Sequence, residues 1–325
     1  MTRVEPQRWT PPPIPPRSRQ RSSAIPLPDL TTIDLPQGPE DVLLGADGAV
    51  FTGVADGRIL RIHDGKVDKV ADTGGRPLGL EWLPDGRLLV CDATLGLLQV
   101  DVERGSSEVV VDLVAGERMR FCNNAAVQSD GTIWFSDSSL RRGLDEWRTE
   151  VIEHGTSGRL LKLDPDGSLH VVLEGLAFAN GVACAPDGSW VAVAETSGYT
   201  VLRYDPATEE TTHIEPNLPG FPDNISLGTD GLVWVALASP RQALLDKLLP
   251  KAPAMRKLAH AMPEALQPKA ADTVWVQAYT PEGQLVHDFQ GRHPRMSMVT
   301  GVREQHGTVW MGSLEGRTIA SFRVP

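Results

Sequence analysis

Cysteine is scarce in this chain of 325 residues: only Cys91, Cys122 and Cys184. The number is odd and no Cys-x-x-Cys pair occurs, which argues against a disulfide framework and against a zinc site. The three read as small buried hydrophobes. No run of 18 apolar residues exists, so no transmembrane helix is expected. The first 28 residues lack the apolar stretch of a secretory signal and are rich in Pro and Arg instead. They read as an extended arm, because proline continues neither a helix nor a central strand. The default expectation is a cytoplasmic location. Basic excess is also missing. The net charge of −11 disfavours nucleic acid, whose phosphates call for clustered Lys and Arg. Gly-x-Ser-x-Gly is absent, which leaves a serine hydrolase unsupported. So are Gly-x-Gly-x-x-Gly and the Walker loop, so nucleotide use is not expected. Nothing in the composition fixes an oligomeric state.

What the chain does contain is turns. Short segments rich in Val, Ile, Leu, Trp and Thr, at 48–53, 87–92, 132–137, 190–195 and 232–237, each follow an Asp-Gly turn. The turn pairs are Asp47-Gly48, Asp85-Gly86, Asp130-Gly131, Asp187-Gly188 and Asp230-Gly231, with a weaker sixth copy at His306-Gly307. Asp-Gly suits a tight reversal, since Gly accepts a positive φ and Asp bonds its own backbone. Successive copies lie 38, 45, 57, 43 and 76 residues apart. Four-stranded propeller blades need about 40–50 residues. The pattern therefore predicts an all-β, six-bladed propeller over residues 29–325, with insertions in the two longest intervals. Further turns at Asp64-Gly65, Asp166-Gly167 and Glu282-Gly283 fit hairpins between outer strands. Within the longest interval, residues 239–266 space Leu244, Leu245, Leu248, Leu249, Met255, Leu258 and Met262 as helices do. Pro250 and Pro253 divide them into two short helices, read as a lid over one end of the channel.

A second pattern runs in register with the turns. Seven residues before each turn stand Glu40, Leu78, Asn123, Asn180, Asp223 and Val299. Equivalent positions in a propeller share one height and one distance from the axis, and the segment before the innermost strand is expected to face the channel. Four of the six then bring side-chain oxygens to one point, out of apolar surroundings, where polar groups need partners. One Ca²⁺, which takes 6–8 oxygen ligands, would serve them all. Glu40 and Asp223 match its charge, while Asn123, Asn180 and Asn224 add neutral oxygens. No His or Cys occupies these positions, which argues against Zn²⁺ and copper.

The phrases Arg120-Phe121-Cys122-Asn123-Asn124, Phe178-Ala179-Asn180-Gly181-Val182 and Leu218-Pro219-Gly220-Phe221-Pro222-Asp223-Asn224-Ile225 resemble the strictosidine synthase-like proteins. Those proteins stand within the superfamily of gluconolactonases, senescence marker protein, diisopropylfluorophosphatases and paraoxonases. The resemblance spans roughly residues 36–320. It implies a six-bladed propeller with channel calcium held by the positions of Glu40, Asn123, Asn180 and Asp223, with Asn224 as a fifth. It also implies hydrolysis of lactones, esters or organophosphates, with Asp223 as nucleophile or general base.

Three departures go with it. Leu78 stands where paraoxonase-like lactonases carry a His, Asn124 where hydrolases carry an Asp, and Thr300 where strictosidine synthases carry a Glu. The resulting expectation is a Ca²⁺-dependent lactonase or esterase acting on a small molecule, with Asp223 catalytic and Asn124, Leu78 and Thr300 at the substrate. The alternatives are a metal-containing propeller that binds a ligand without chemistry, and an amine–aldehyde condensing enzyme. Trp147, Glu150, Glu153 and His154, in the insertion at 138–158, are candidates for the pocket mouth, with a solvated loop as the safer reading. His287 and His293 flank a turn before blade six, and His293 is a candidate for approaching the channel.

Overall fold

The computed structural model describes residues 4–251, 253–260 and 271–325, without the side chains of 258–260. Six four-stranded antiparallel sheets surround an axis. Blade one runs through Leu43–Leu44, Val50–Gly53, Arg58–His63 and Lys66–Asp72; blade two is Pro77–Trp82, Leu88–Asp92, Gly96–Asp101 and Ser106–Val111. Blade three is Cys122–Val127, Ile133–Asp137, Gly158–Leu163 and Leu169–Leu176; blade four is Ala179–Cys184, Val191–Glu195, Thr200–Tyr204 and Thr211–Glu215. Blade five is Gly220–Leu227, Val233–Pro240, Val274–Tyr279 and Leu285–Gly291. Blade six takes Val299–Gln305, Thr308–Ser313 and Thr318–Arg323 from the C-terminal end, and its outermost strand, Thr31–Asp34, from the N-terminal end.

The turns repeat in atomic detail. In five blades the turn Asp accepts the backbone N–H two residues on, as Asp47 does from Ala49 at 3.1 Å and Asp130 from Thr132 at 2.9 Å. The following glycine takes a positive φ, +78° at Gly48 and +79° at Gly231, which a side chain would oppose. One expectation is corrected here. The strands after these turns are second strands. The segments before them are themselves the innermost strands and pair across the turn. The cores lie between adjacent blades, as where Ala192 and Val201 of blade four pack with Val233 and Val235 of blade five.

Two insertions leave the blades at one end. The first carries α1 (Trp147–Glu153), and the second α2 (Ala243–Leu248) and α3 (Pro253–His260). The second begins after the blade-five strand that runs on to Pro240; Met262 lies outside the described residues. The N-terminal arm is ordered against both. Gln7 N–H donates to the Glu153 carbonyl at 2.8 Å, Trp9 N–H to the Leu249 carbonyl at 3.3 Å, and Trp9 stacks on His154 at 4.1 Å. Further on, Ile25–Pro26 add to the edge of blade five in parallel. No helix among the described residues is long and apolar enough to cross a membrane.

Candidate functional site

Each innermost strand from blade two to blade six breaks its pairing register, at the position singled out by the sevenfold offset in blades two to five and one residue later, at Thr300, in blade six. The breaks fall between Pro77 and Leu80, Cys122 and Ala125, Ala179 and Val182, Pro222 and Ile225, and Val299 and Val302. A bulge of this kind turns a side chain out of the ladder. Here it turns Leu78, Asn123, Asn180 and Asp223 toward the channel, where they line one cavity together with Glu40.

Glu40, Asn123, Asn180 and Asn224 are buried, while Asp223 is part-exposed onto the cavity. The cluster is bonded internally. Asn224 Nδ2 donates to Glu40 Oε1 at 3.0 Å, joining blade five to blade one. The Asn180 side chain and the Asn224 backbone N–H both serve the Asp223 carboxylate. Asn123 Nδ2 donates to Ser138 Oγ at 2.9 Å, and Asn180 Nδ2 to Thr196 Oγ1 at 3.0 Å. Four oxygens are left buried with no hydrogen-bond partner: Glu40 Oε2 and the Oδ1 atoms of Asn123, Asn180 and Asn224. Such atoms are costly unless something supplies them with positive charge. Burial raises Glu40 well above the usual carboxylate range; the charges of Asp41 and Asp223 add to this, while Arg76 and the Asn224 bond oppose it. Its depth in the channel raises Asp223 to about 7 against the two bonds it accepts. Two carboxylates short of a cation, among amide oxygens short of a donor, fit a hard divalent ion. Among the described residues no group of three or more His, Cys, Asp or Glu is placed to hold a metal. The donor set is two carboxylates and three carboxamides.

The remaining predicted residues fall elsewhere. Asn124 Oδ1 accepts Val182 N–H at 2.9 Å and so ties blade three to blade four. Thr300 Oγ1 donates to the Glu40 carbonyl at 2.8 Å. Both are buried, and neither borders the cavity. His287 stacks on Trp234, His293 bridges to Met296, and neither borders the cavity. The solvated-loop reading of the blade-three insertion is overturned. Trp147 lines the cavity, and Glu150, Glu153 and His154 are buried, because α1 packs under the arm and beside α3.

The cavity, of about 170 Å³, has a polar floor and apolar sides. Phe121, Phe178 and Phe221 each stand two residues before a cluster member, so the repeat that builds the floor also builds a wall. Phe178 does so at φ +63°, a conformation that bulky residues rarely take. Trp147 of α1 and Leu245 and Leu248 of α2 form the roof. The sequence carried a signal for the wall in the recurring Phe. For α1, with its polar residues, it carried little.

Fold and site define a six-bladed propeller whose channel holds a carboxylate–carboxamide cluster beneath a roofed apolar cavity. Residues 43–245 match the SMP-30/gluconolactonase/LRE-like family, and the chain belongs to that family. It is 32% identical over 316 residues to an adipocyte plasma membrane-associated protein of Gallus gallus, covering 88% of this chain and 75% of that one. It is 29% identical over 290 residues to strictosidine synthase-like protein 6 of Arabidopsis thaliana, covering 86% and 78%. Among solved structures it superposes on a gluconolactonase from Xanthomonas campestris with a TM-score of 0.68 at 19% identity, covering 94% of each chain. A calcium-binding regucalcin from Agrobacterium tumefaciens gives 0.62 at 12% identity, covering 89% and 90%. At these identities the structural likeness shows the fold.

Proposed function

We propose that this protein is a calcium-dependent hydrolase of a lactone or ester bound in the axial channel. The observation that carries the reading is the set of four unpartnered buried oxygens, on Glu40, Asn123, Asn180 and Asn224, beside the Asp223 carboxylate. With Asp223 they would hold the ion. A bound Ca²⁺ would polarise the substrate carbonyl and stabilise the oxyanion formed on attack.

The chain's own residues supply the rest. Asp223 lines the cavity and is the least buried member of the cluster, so its carboxylate is the group placed to take a proton from attacking water. It accepts a proton from water as the new C–O bond forms, and returns it to the departing alkoxide as the old C–O bond breaks. The products are an acid and an alcohol, joined in one hydroxy acid when the substrate is a lactone. The Asn180 side chain and the Asn224 N–H hold Asp223 in place for this. Phe121, Phe178, Phe221 and the roof residues take the apolar part of the substrate and keep bulk water from the carbonyl.

The test is a panel of lactones and aryl esters assayed with calcium and with chelator. Turnover that vanishes on chelation and returns with Ca²⁺ is expected. Turnover indifferent to chelator, or its absence across the panel, would overturn the reading. Absence of turnover with calcium bound would favour a binding propeller without chemistry.

A further inference from the structure

Two side chains behind the cluster decide which end of each carboxamide faces it. Asn123 donates to Ser138 Oγ, and Ser138 Oγ donates in turn to the Ala179 carbonyl at 2.6 Å. One blade on, the arrangement repeats: Asn180 donates to Thr196 Oγ1, which donates to the Pro222 carbonyl at 2.7 Å. A carbonyl only accepts, so each hydroxyl has its single hydrogen committed and offers the amide nothing but lone pairs. Only the NH₂ end of the amide can face it. The Oδ1 atoms of Asn123 and Asn180 must then turn the other way, and both are among the oxygens left without a partner.

The accepting carbonyls also have a consistent place in the chain. Ala179 immediately precedes Asn180, and Pro222 immediately precedes Asp223. Each hydroxyl thus orients one cluster member and grips the backbone of the next. The series runs from blade three to blade four to blade five, and the Asn224–Glu40 bond carries it on to blade one.

We propose that Ser138 and Thr196 are positioning residues for the divalent cation, holding the oxygens of Asn123 and Asn180 toward it and coupling three blades at the site. The inference rests on the calcium reading above. Without the hydroxyl, either end of the amide can turn inward, and an NH₂ group meets a cation with the wrong charge. Loss of partners that orient metal ligands typically costs about 10–100-fold in affinity.

The experiment is calorimetric titration of Ca²⁺ into the chelator-stripped full chain. Ser138→Ala and Thr196→Val are each expected to bind about 10–100-fold more weakly than the parent. Ser138→Thr and Thr196→Ser keep the hydroxyl and should keep the affinity. Ser226→Ala is the control: Ser226 Oγ bonds the Val302 carbonyl between blades five and six at 2.8 Å, with no amide of the cluster resting on it. It should lower the melting temperature of the calcium-free protein and leave the affinity alone. Thr196→Val keeps its side-chain volume and carries the test if Ser138→Ala does not fold. Unchanged affinity in the hydroxyl variants, or an equal loss in Ser226→Ala, would overturn the positioning role and leave the calcium reading standing. A parent chain that binds no Ca²⁺ would overturn both.

Discussion

The residues that follow Glu40, Leu78, Asn123, Asn180, Asp223 and Thr300 are Asp41, Gly79, Asn124, Gly181, Asn224 and Gly301, polar and glycine by turns around the ring. Asp41 accepts Leu80 N–H of the next blade at 3.0 Å, and Asn124 accepts Val182 N–H. The glycines let the following blade close in; a Cβ on Gly181 would lie 2.2 Å from the Ile225 nitrogen and 2.6 Å from Asn224 Cα. Gly181→Ala is therefore expected to destabilise the fold by roughly 1–3 kcal/mol or more, read from a urea transition, since backbone on both sides must shift. Asn224 departs from its counterparts: it turns its amide to Glu40 and leaves its oxygen free. At the reacting centre, Asp223→Asn should lower kcat by about 10²–10⁴-fold in saturating calcium, the usual worth of a general base, with the fold intact by circular dichroism. Full retained activity would end its catalytic assignment. These residues also mark what the sequence could convey. Counting back from a shared turn gave Asn123, Asn180 and Asp223 a common height, because a hairpin preserves the count. It could not say which residue of a bulge faces the channel. Asn123 does, whereas Asn124 bonds across the blades, a distinction made by backbone geometry and invisible in two adjacent asparagines.

At the level of elements, the roof is held from outside by the arm. Arg256 of α3 donates to the carbonyls of Ile152 and Glu153 at 2.9 and 3.1 Å and to that of Gln7, so helix, insertion and arm share one side chain. Arg142 pairs with Glu153 through two buried bonds of 2.6 and 3.0 Å. Trp9→Ala removes the stack on His154, and roughly tenfold faster hydrogen exchange is expected in α1, matching the ~1.4 kcal/mol that such a ring contact can contribute. Unchanged exchange there would mean that the arm is only a passenger. His154 adds a dependence on pH. Burial, and then the Arg256 cation, push its pKa down to about 4 from 6.5. The folded chain keeps it neutral while the unfolded chain protonates it, so stability is full above pH 6.5 and is lost as pH falls toward 4. The loss amounts to roughly 3 kcal/mol at most. His154→Phe should flatten urea midpoints measured across that window. None of this packing was legible in residues 138–158. Their charged residues look solvated until the arm, distant in sequence, arrives to cover them, and a local reading has no means of pairing the two.

Across the whole molecule, cluster members come from blades one, three, four and five, which are far apart in sequence and meet only at the axis. The ring has one other long-range closure, the strand Thr31–Asp34 completing blade six beside Thr318–Arg323. A cation at the axis would tie four blades at one point, where the Asn224–Glu40 bond already joins blade five to blade one, so its removal should be felt as stability. Calcium at a hundredfold excess over its Kd adds about 2.7 kcal/mol by mass action, enough to raise the melting temperature by several degrees. The informative comparison is the calcium-free state. There Glu40 and Asp223 are two acidic groups in the channel that burial pushes toward the neutral form; the charges of Asp41 and Asp223 add to this at Glu40, and Arg76 is the cation that eases it. Replacing an uncompensated buried charge by a neutral group of the same shape is commonly neutral or stabilising. Glu40→Gln keeps an oxygen for Asn224 to bond. In calorimetric scans with chelator it is expected to melt at or above the parent temperature, and with calcium to melt below it. A purely structural carboxylate would predict the reverse in chelator, a drop from losing a packed and bonded side chain. The opposite signs expected with and without the ion therefore separate a residue kept for its charge toward a cation from one kept to hold the blades together.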